Sequence, residues 1–269
     1  VNRSYLNRIS IAAWVVTLTL AASAWIRLPG QGANLLAGEG SLALPIAGSD
    51  VVPLLLALLA GTGAQAVIQA HPLANRLRFS VRLWALPIAV TMIAFLLLPS
   101  APSILYWAAG ILLFAAALSG VLAALYISLD ANATGYRRAR ALLNLVCYAV
   151  ALLLFLLIPE TWGAVGRALV LGGVAVLLAL ELLRGSRARI RWVTLYAAII
   201  GTVVTQVTWV LAQTNLSMLS AGLLLLLLFY LLVGLAWQTL LNRLTRRVVL
   251  EFLAVGVFGL LLILILTPS

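Results

Sequence analysis

Ala60 to Arg82 reads AGTGAQAVIQAHPLANRLRFSVR. A small-residue, helix-forming stretch reaches His71-Pro72 and then gives way to Arg76, Arg78 and Arg82. Proline ends a helix, and arginine beyond an apolar run marks the edge of a lipid-embedded segment. The same handover recurs along the chain. It predicts an all-α, polytopic transmembrane helix bundle.

Composition agrees. The 269 residues are 65% hydrophobic and only 9% charged, with a mean hydropathy of +1.18. Soluble domains carry about 25% charged residues. A membrane-spanning backbone must satisfy its polar groups within helices or a closed barrel. The apolar runs here are long and unbroken rather than alternating, which selects helices. About 20 apolar residues span a bilayer. On that measure about nine spans are expected, near 9–26, 51–70, 83–98, 104–129, 139–158, 163–183, 190–212, 218–241 and 248–266. They are read as one transmembrane domain over residues 1–269. No small-residue cleavage site follows the first run, so it reads as a retained span rather than a signal peptide. Residues 28–50, rich in glycine with Pro29 and Pro45, form the longest extracytoplasmic loop in this reading.

The basic residues are all arginine, and they alternate. Arg3 and Arg8 precede the first span; further clusters follow the second, fourth, sixth and eighth. Fifteen of the seventeen arginines fall on that side, leaving Arg27 and Arg167 opposite. The positive-inside rule then puts the N-terminus in the cytoplasm and the C-terminus outside. It also explains the net charge of +11 without nucleic acid as a partner.

Several chemistries are excluded by composition. Without lysine there is no retinal Schiff base and no P-loop. A single cysteine, Cys147, and a single histidine, His71, forbid an intrachain disulfide, a bis-histidine haem and an H-E-x-x-H metal site. The two aspartates, Asp50 and Asp130, are predicted on opposite sides, so paired Asp-rich motifs are absent. Glu181–Arg184 and Arg247–Glu251 have the spacing of local ion pairs at helix ends.

What remains is a set of polar residues in apolar helices. His71 either ligates a pigment or haem metal as a single axial ligand or caps the end of the second span. Thr62, Gln65 and Gln69 share one face of that span, as Thr202, Gln206, Trp209 and Gln213 share one face of the seventh. By depth, Gln65, Gln69, His71, Asn144, Gln238 and Glu251 all fall in the cytoplasmic half, where a pocket could hold a lipid, quinone or pigment head. Trp209 lies deeper than most tryptophans and could touch a pigment. The same residues could equally serve as interhelical hydrogen bonds.

The segments Gly61-Thr62-Gly63, His71-Pro72, Trp84 with Pro87, and Leu143-Asn144-Leu145 make the chain resemble an uncharacterised family of multi-span membrane proteins from Chloroflexota, the green filamentous bacteria. The resemblance implies a bacterial inner (cytoplasmic) membrane and a photosynthetic or respiratory setting. It carries no catalytic residue.

The function expected from all this is that of a non-catalytic accessory subunit of an energy-converting membrane complex. It would pack against other integral membrane subunits and hold bacteriochlorophyll, carotenoid, quinone or structural lipid. The alternative is a stand-alone enzyme or carrier for a lipid or isoprenoid substrate, using the cytoplasmic-side polar pocket.

Overall fold

In the computed structural model, residues 3–23, 48–72, 81–98, 103–130, 132–157, 163–186, 188–214 and 216–266 are described. Among them every regular element is helical: α1 (Arg3–Ser23), α2 (Gly48–Gln69), α3 (Ala85–Leu97), α4 (Ile104–Ile127), α5 (Tyr136–Leu157), α6 (Gly163–Leu183), α7 (Ile190–Leu211), α8 (Met218–Leu240) and α9 (Arg246–Leu266). A 3-10 turn, Val81–Trp84, leads into α3, and another, Arg184–Ser186, follows α6. Helix α2 begins at Gly48, so the last three residues of the expected 28–50 loop are its first turn. Its other residues lie outside the described ones.

Among the described residues five helices are long and apolar enough to cross a membrane: α4, α5, α6 with its 3-10 extension to Ser186, α7 and α8. Leu55–Gln69 and Ala85–Leu97 are shorter apolar segments. The surface of these helices is apolar too. On α4, Leu105 is 75% exposed and Leu113 is 73% exposed, and on α9 Ile265 is 77% exposed. Apolar surface on this scale has no place in water. The environment of the chain is a lipid bilayer.

Sequence sets the helix ends. Ser103 caps α4 by accepting from the Tyr106 N–H, and Ser217 caps α8 by accepting from the Ser220 N–H at 3.2 Å. Each supplies an acceptor to an otherwise orphaned first-turn donor. Helix α8 stops at Asn242, whose φ of 54° is left-handed. The N–H groups of Arg243 and Asn242 reach back to the carbonyls of Gln238 and Thr239, at 2.9 and 3.0 Å. This is a Schellman ending, and asparagine tolerates it better than other side-chain-bearing residues.

The chain divides into two units, Val1–Tyr136 and Arg137–Ser269. In the first, α1 packs on α2, α2 on α3, α3 on α4, and α4 returns to α1. Leu20, Leu56, Ile68, Leu86 and Leu122 fill its centre. In the second, the closest pairing is α6 with α7. Small residues make it possible. Ala168, Gly172, Ala175 and Ala179 form a buried stripe on α6, met by Ala197, Gly201, Val204 and Thr208 on α7. A Cβ on Gly201 would lie 2.8 Å from the Gly172 carbonyl oxygen, so the two backbones touch where neither residue has a side chain. Phe229 of α8 and Phe155 of α5 meet edge to face, 6.1 Å between ring centres, and complete the core.

Candidate functional site

The polar residues singled out in sequence divide between the units. Gln65, Gln69 and His71 belong to the first; Asn144, Trp209, Gln238 and Glu251 belong to the second.

In the first unit Gln65 and His71 hold α2 to its neighbours. Trp84 lies across Gly61, where a Cβ would come within 2.7 Å of the indole. One turn on, Gln65 Oε1 accepts a 3.1 Å hydrogen bond from Trp84 Nε1. The glycine makes room for the ring and the glutamine satisfies its N–H, which a buried indole requires. Thr62 turns its hydroxyl onto the carbonyls of Leu58 and Leu59 in its own helix. His71 ends α2: its N–H bonds to the Ile68 carbonyl at 3.0 Å, and its ring meets Tyr126 of α4 edge to face at 4.7 Å. Gln69 is exposed.

The second unit contains a cluster only half read in sequence. Glu181, 1% exposed, receives Arg184 Nη2 at 2.8 Å, the expected local pair. It also receives Arg140 Nη1 from α5 at 3.0 Å on the same oxygen. Arg140 Nη2 lies 3.3 Å from each of the Glu181 and Leu182 carbonyls at the end of α6. One guanidinium thus neutralises a buried carboxylate and caps the orphaned carbonyls of a helix terminus. Gly185 keeps the space open: a Cβ there would be 2.8 Å from Arg140 Nη2 and 2.7 Å from the Trp237 ring of α8. Buried charge is tolerated when paired and hydrogen-bonded, and Oε1 has both, while Glu181 Oε2 is buried with no hydrogen bond to the described residues.

A signal for Arg140 was present. It lies in phase with Leu143, Cys147 and Ala151, each 0% exposed, while Arg137 and Arg138 fall off that face and are exposed. A charge in register with a buried stripe needs a buried partner, and Glu181 has the matching phase on α6 beside Leu178 and Leu182. Asn144 and Gln238 are half-buried in this unit. Glu251 pairs with Arg247 at 3.2 Å on an exposed face, as its spacing predicts.

The remaining stripe points outward. On α7 the packed face is Val193, Ala197, Ile200, Val204 and Thr208. Thr202, Gln206, Trp209 and Gln213 lie on the opposite side, and all four are exposed, Trp209 to 49%. The Thr202 hydroxyl bonds back to the Ala198 carbonyl. The amides of Gln206 and Gln213 make no hydrogen bond to the described residues.

Among the described residues no three His, Cys, Asp or Glu side chains come together as a metal site. A cavity of about 290 Å³ at the starts of α6 and α8 is lined by Arg167, Thr208, Thr214 and Met218. Its two threonine hydroxyls donate to carbonyls of their own segment, Thr208 to Val204 at 2.7 Å and Thr214 to Leu211 at 2.7 Å.

These features define a membrane-embedded helical protein in which Arg140 bonds α5 to α6 and Gln65 bonds α2 to Trp84. The chain belongs to the family of proteins of unknown function designated DUF5656, whose sequence profile matches residues 31–266. No curated protein and no solved structure matches it.

Proposed function

We propose that the protein is a non-catalytic subunit of a larger membrane complex, docked to another integral membrane subunit through the outward face of α7. The exposed amide of Gln206 carries this reading. It stands within an apolar helix, opposite the face that packs in this chain. An amide in hydrocarbon without a partner costs several kcal/mol, and a neighbouring transmembrane helix offering a donor or acceptor removes that cost. Trp209 and Gln213 extend the same face. The interior supports the reading as well, since Arg140 and Gln65 are engaged by Glu181 and Trp84 within the chain.

Purification in mild detergent from the native membrane tests the proposal. The wild-type chain is expected to bring a stoichiometric membrane partner. Gln206→Leu with Gln213→Leu should reduce that yield at least about tenfold, roughly the loss of one or two interhelical hydrogen bonds, without loss of helix content. A wild-type chain that runs alone would contradict it.

The reading places all nine helices across the bilayer of a bacterial inner membrane, arginine-rich ends in the cytoplasm. The arginine distribution supports this. Cys147 is fully buried, so single cysteines can be added against a silent background. Cysteines at Arg138 and Arg243 are expected to label only from the cytoplasm, and those at Ser103 and Thr214 only from outside. Labelling of Arg138 and Thr214 from one side would contradict it. A photosynthetic or respiratory complex is the setting that the resemblance to Chloroflexota proteins supports. If pigment is held there through His71, the visible absorption of the purified complex should change in His71→Ala.

A further inference from the structure

The second candidate site lies in the first unit and stands independently of the partner proposal. A furrow of about 300 Å³ runs between α1 and α2. Ile11 and Val15 line one wall, Leu59 and Ala66 the other, with Gly63 at the floor. A side chain at 63 would fill it, since a Cβ there already comes 3.2 Å from the Ala12 Cβ. The hydroxyl of Thr62 is spent on its own helix. The walls are therefore apolar, and Ile11 and Val15 are 64% and 45% exposed, so the furrow is open.

One charged group lines it. Arg8 stands at one end, level with the last turn of α2, and is exposed. Its Nη1 reaches the Ala66 carbonyl at 3.4 Å. Beside it the Ala70 N–H bonds to the Val67 carbonyl at 3.2 Å, where the helix ends. The contact holds the guanidinium at the mouth of the furrow and uses one of five N–H donors. From Arg8 to Val16 is two helical turns, ~12 Å.

We infer that this furrow binds one anionic phospholipid, its phosphate on Arg8 and an acyl chain laid between α1 and α2. The chemistry is complementary at both ends. A guanidinium with free donors is a bidentate partner for a phosphate. Two turns of apolar, glycine-floored wall fit a hydrocarbon chain. A transmembrane helix, about 10 Å across, is too wide for a furrow of this volume.

The test uses the full chain in mild detergent, offered equal phosphatidylglycerol and phosphatidylcholine of one acyl length, and read by native mass spectrometry. The wild type should retain one phosphatidylglycerol, preferred about tenfold, the scale of one charge-assisted hydrogen bond. Arg8→Gln should bring that preference close to unity. Ala66→Trp, placed from an exposed position, should abolish retention, and Ile11→Trp should do the same from the opposite wall. Far-UV circular dichroism checks that each variant is folded. Equal retention of the two lipids by the wild type would overturn the inference. So would a preference that survives Arg8→Gln, or lipid retained by both folded tryptophan variants.

Discussion

Gly201→Leu is expected to unfold the second unit, with a cost above about 3 kcal/mol, the upper part of the range for overpacked cores. The reason is the approach of backbone to backbone. Most overpacking is relieved when a neighbouring side chain changes rotamer, and the Val176 side chain, the nearest neighbour of a Cβ at 201, can move in that way; the carbonyl oxygen of Gly172, 2.8 Å from that Cβ, cannot. Relief of that contact requires the helices to separate, and α6–α7 is the most extensive helix pairing among the described residues. Their separation would expose Ala175, Ala179, Ala197 and Val204 together, each at 0% now. Gly173→Leu, one residue from Gly172, is the control. A Cβ at 173 meets no atom within 4 Å, so that variant should unfold like the wild type. Denaturation in mixed micelles with increasing sodium dodecyl sulfate, followed by circular dichroism, measures both. Equal stability of the two variants would mean that the stripe does not form the helix contact.

The second large effect is expected at Arg140. Arg140→Leu leaves Glu181 buried with one cation, Arg184, and strips the last carbonyls of α6 of their donor. Removing one partner of a buried pair costs about 3–5 kcal/mol. Glu181→Leu should cost a comparable amount, since it leaves Arg140 charged and without its carboxylate. The double variant should recover much of the loss, because two apolar side chains need no pairing. A double-mutant cycle on the same unfolding assay therefore predicts strong non-additivity. By contrast, Glu251→Leu should cost less than about 1 kcal/mol, because exposed ion pairs contribute little. Near-equal effects at Glu181 and Glu251 would show that the two acids share one environment.

These two contrasts show where the sequence is informative. Lipid imposes long apolar runs, and such runs can be seen without a structure; α6 occupies the very span, Gly163–Leu183, that composition delimits. Ends were less legible. Helix α2 starts at Gly48, within a stretch whose glycines and prolines read as loop. Leu83 and Trp84 lie in a 3-10 turn ahead of α3. Partners across helices were the hardest. Gln65 read as one member of a polar face, and nothing local says that its acceptor is aimed at Trp84. Arg140 was hidden among Arg137 and Arg138, where orientation in the membrane accounts for all three, and only its register with Leu143 and Cys147 distinguishes it. For α7 the polar stripe was visible in sequence, but its direction was not. Which side of a helix packs depends on where its neighbours' small residues lie, and here Gly172 and Ala175 draw the other side inward.

The direction of that stripe is the point on which the functional account turns. A photoreactive amino acid at position 206, irradiated in native membranes, tests it most directly, with the same residue at position 169 as comparison. Leu169 is 62% exposed, on the outward side of α6. The account predicts one discrete cross-linked product at 206, containing a second integral membrane protein in fixed ratio, and lipid adducts alone at 169. Lipid adducts alone at both positions would contradict it, because Gln206 would then face hydrocarbon with no partner helix over it.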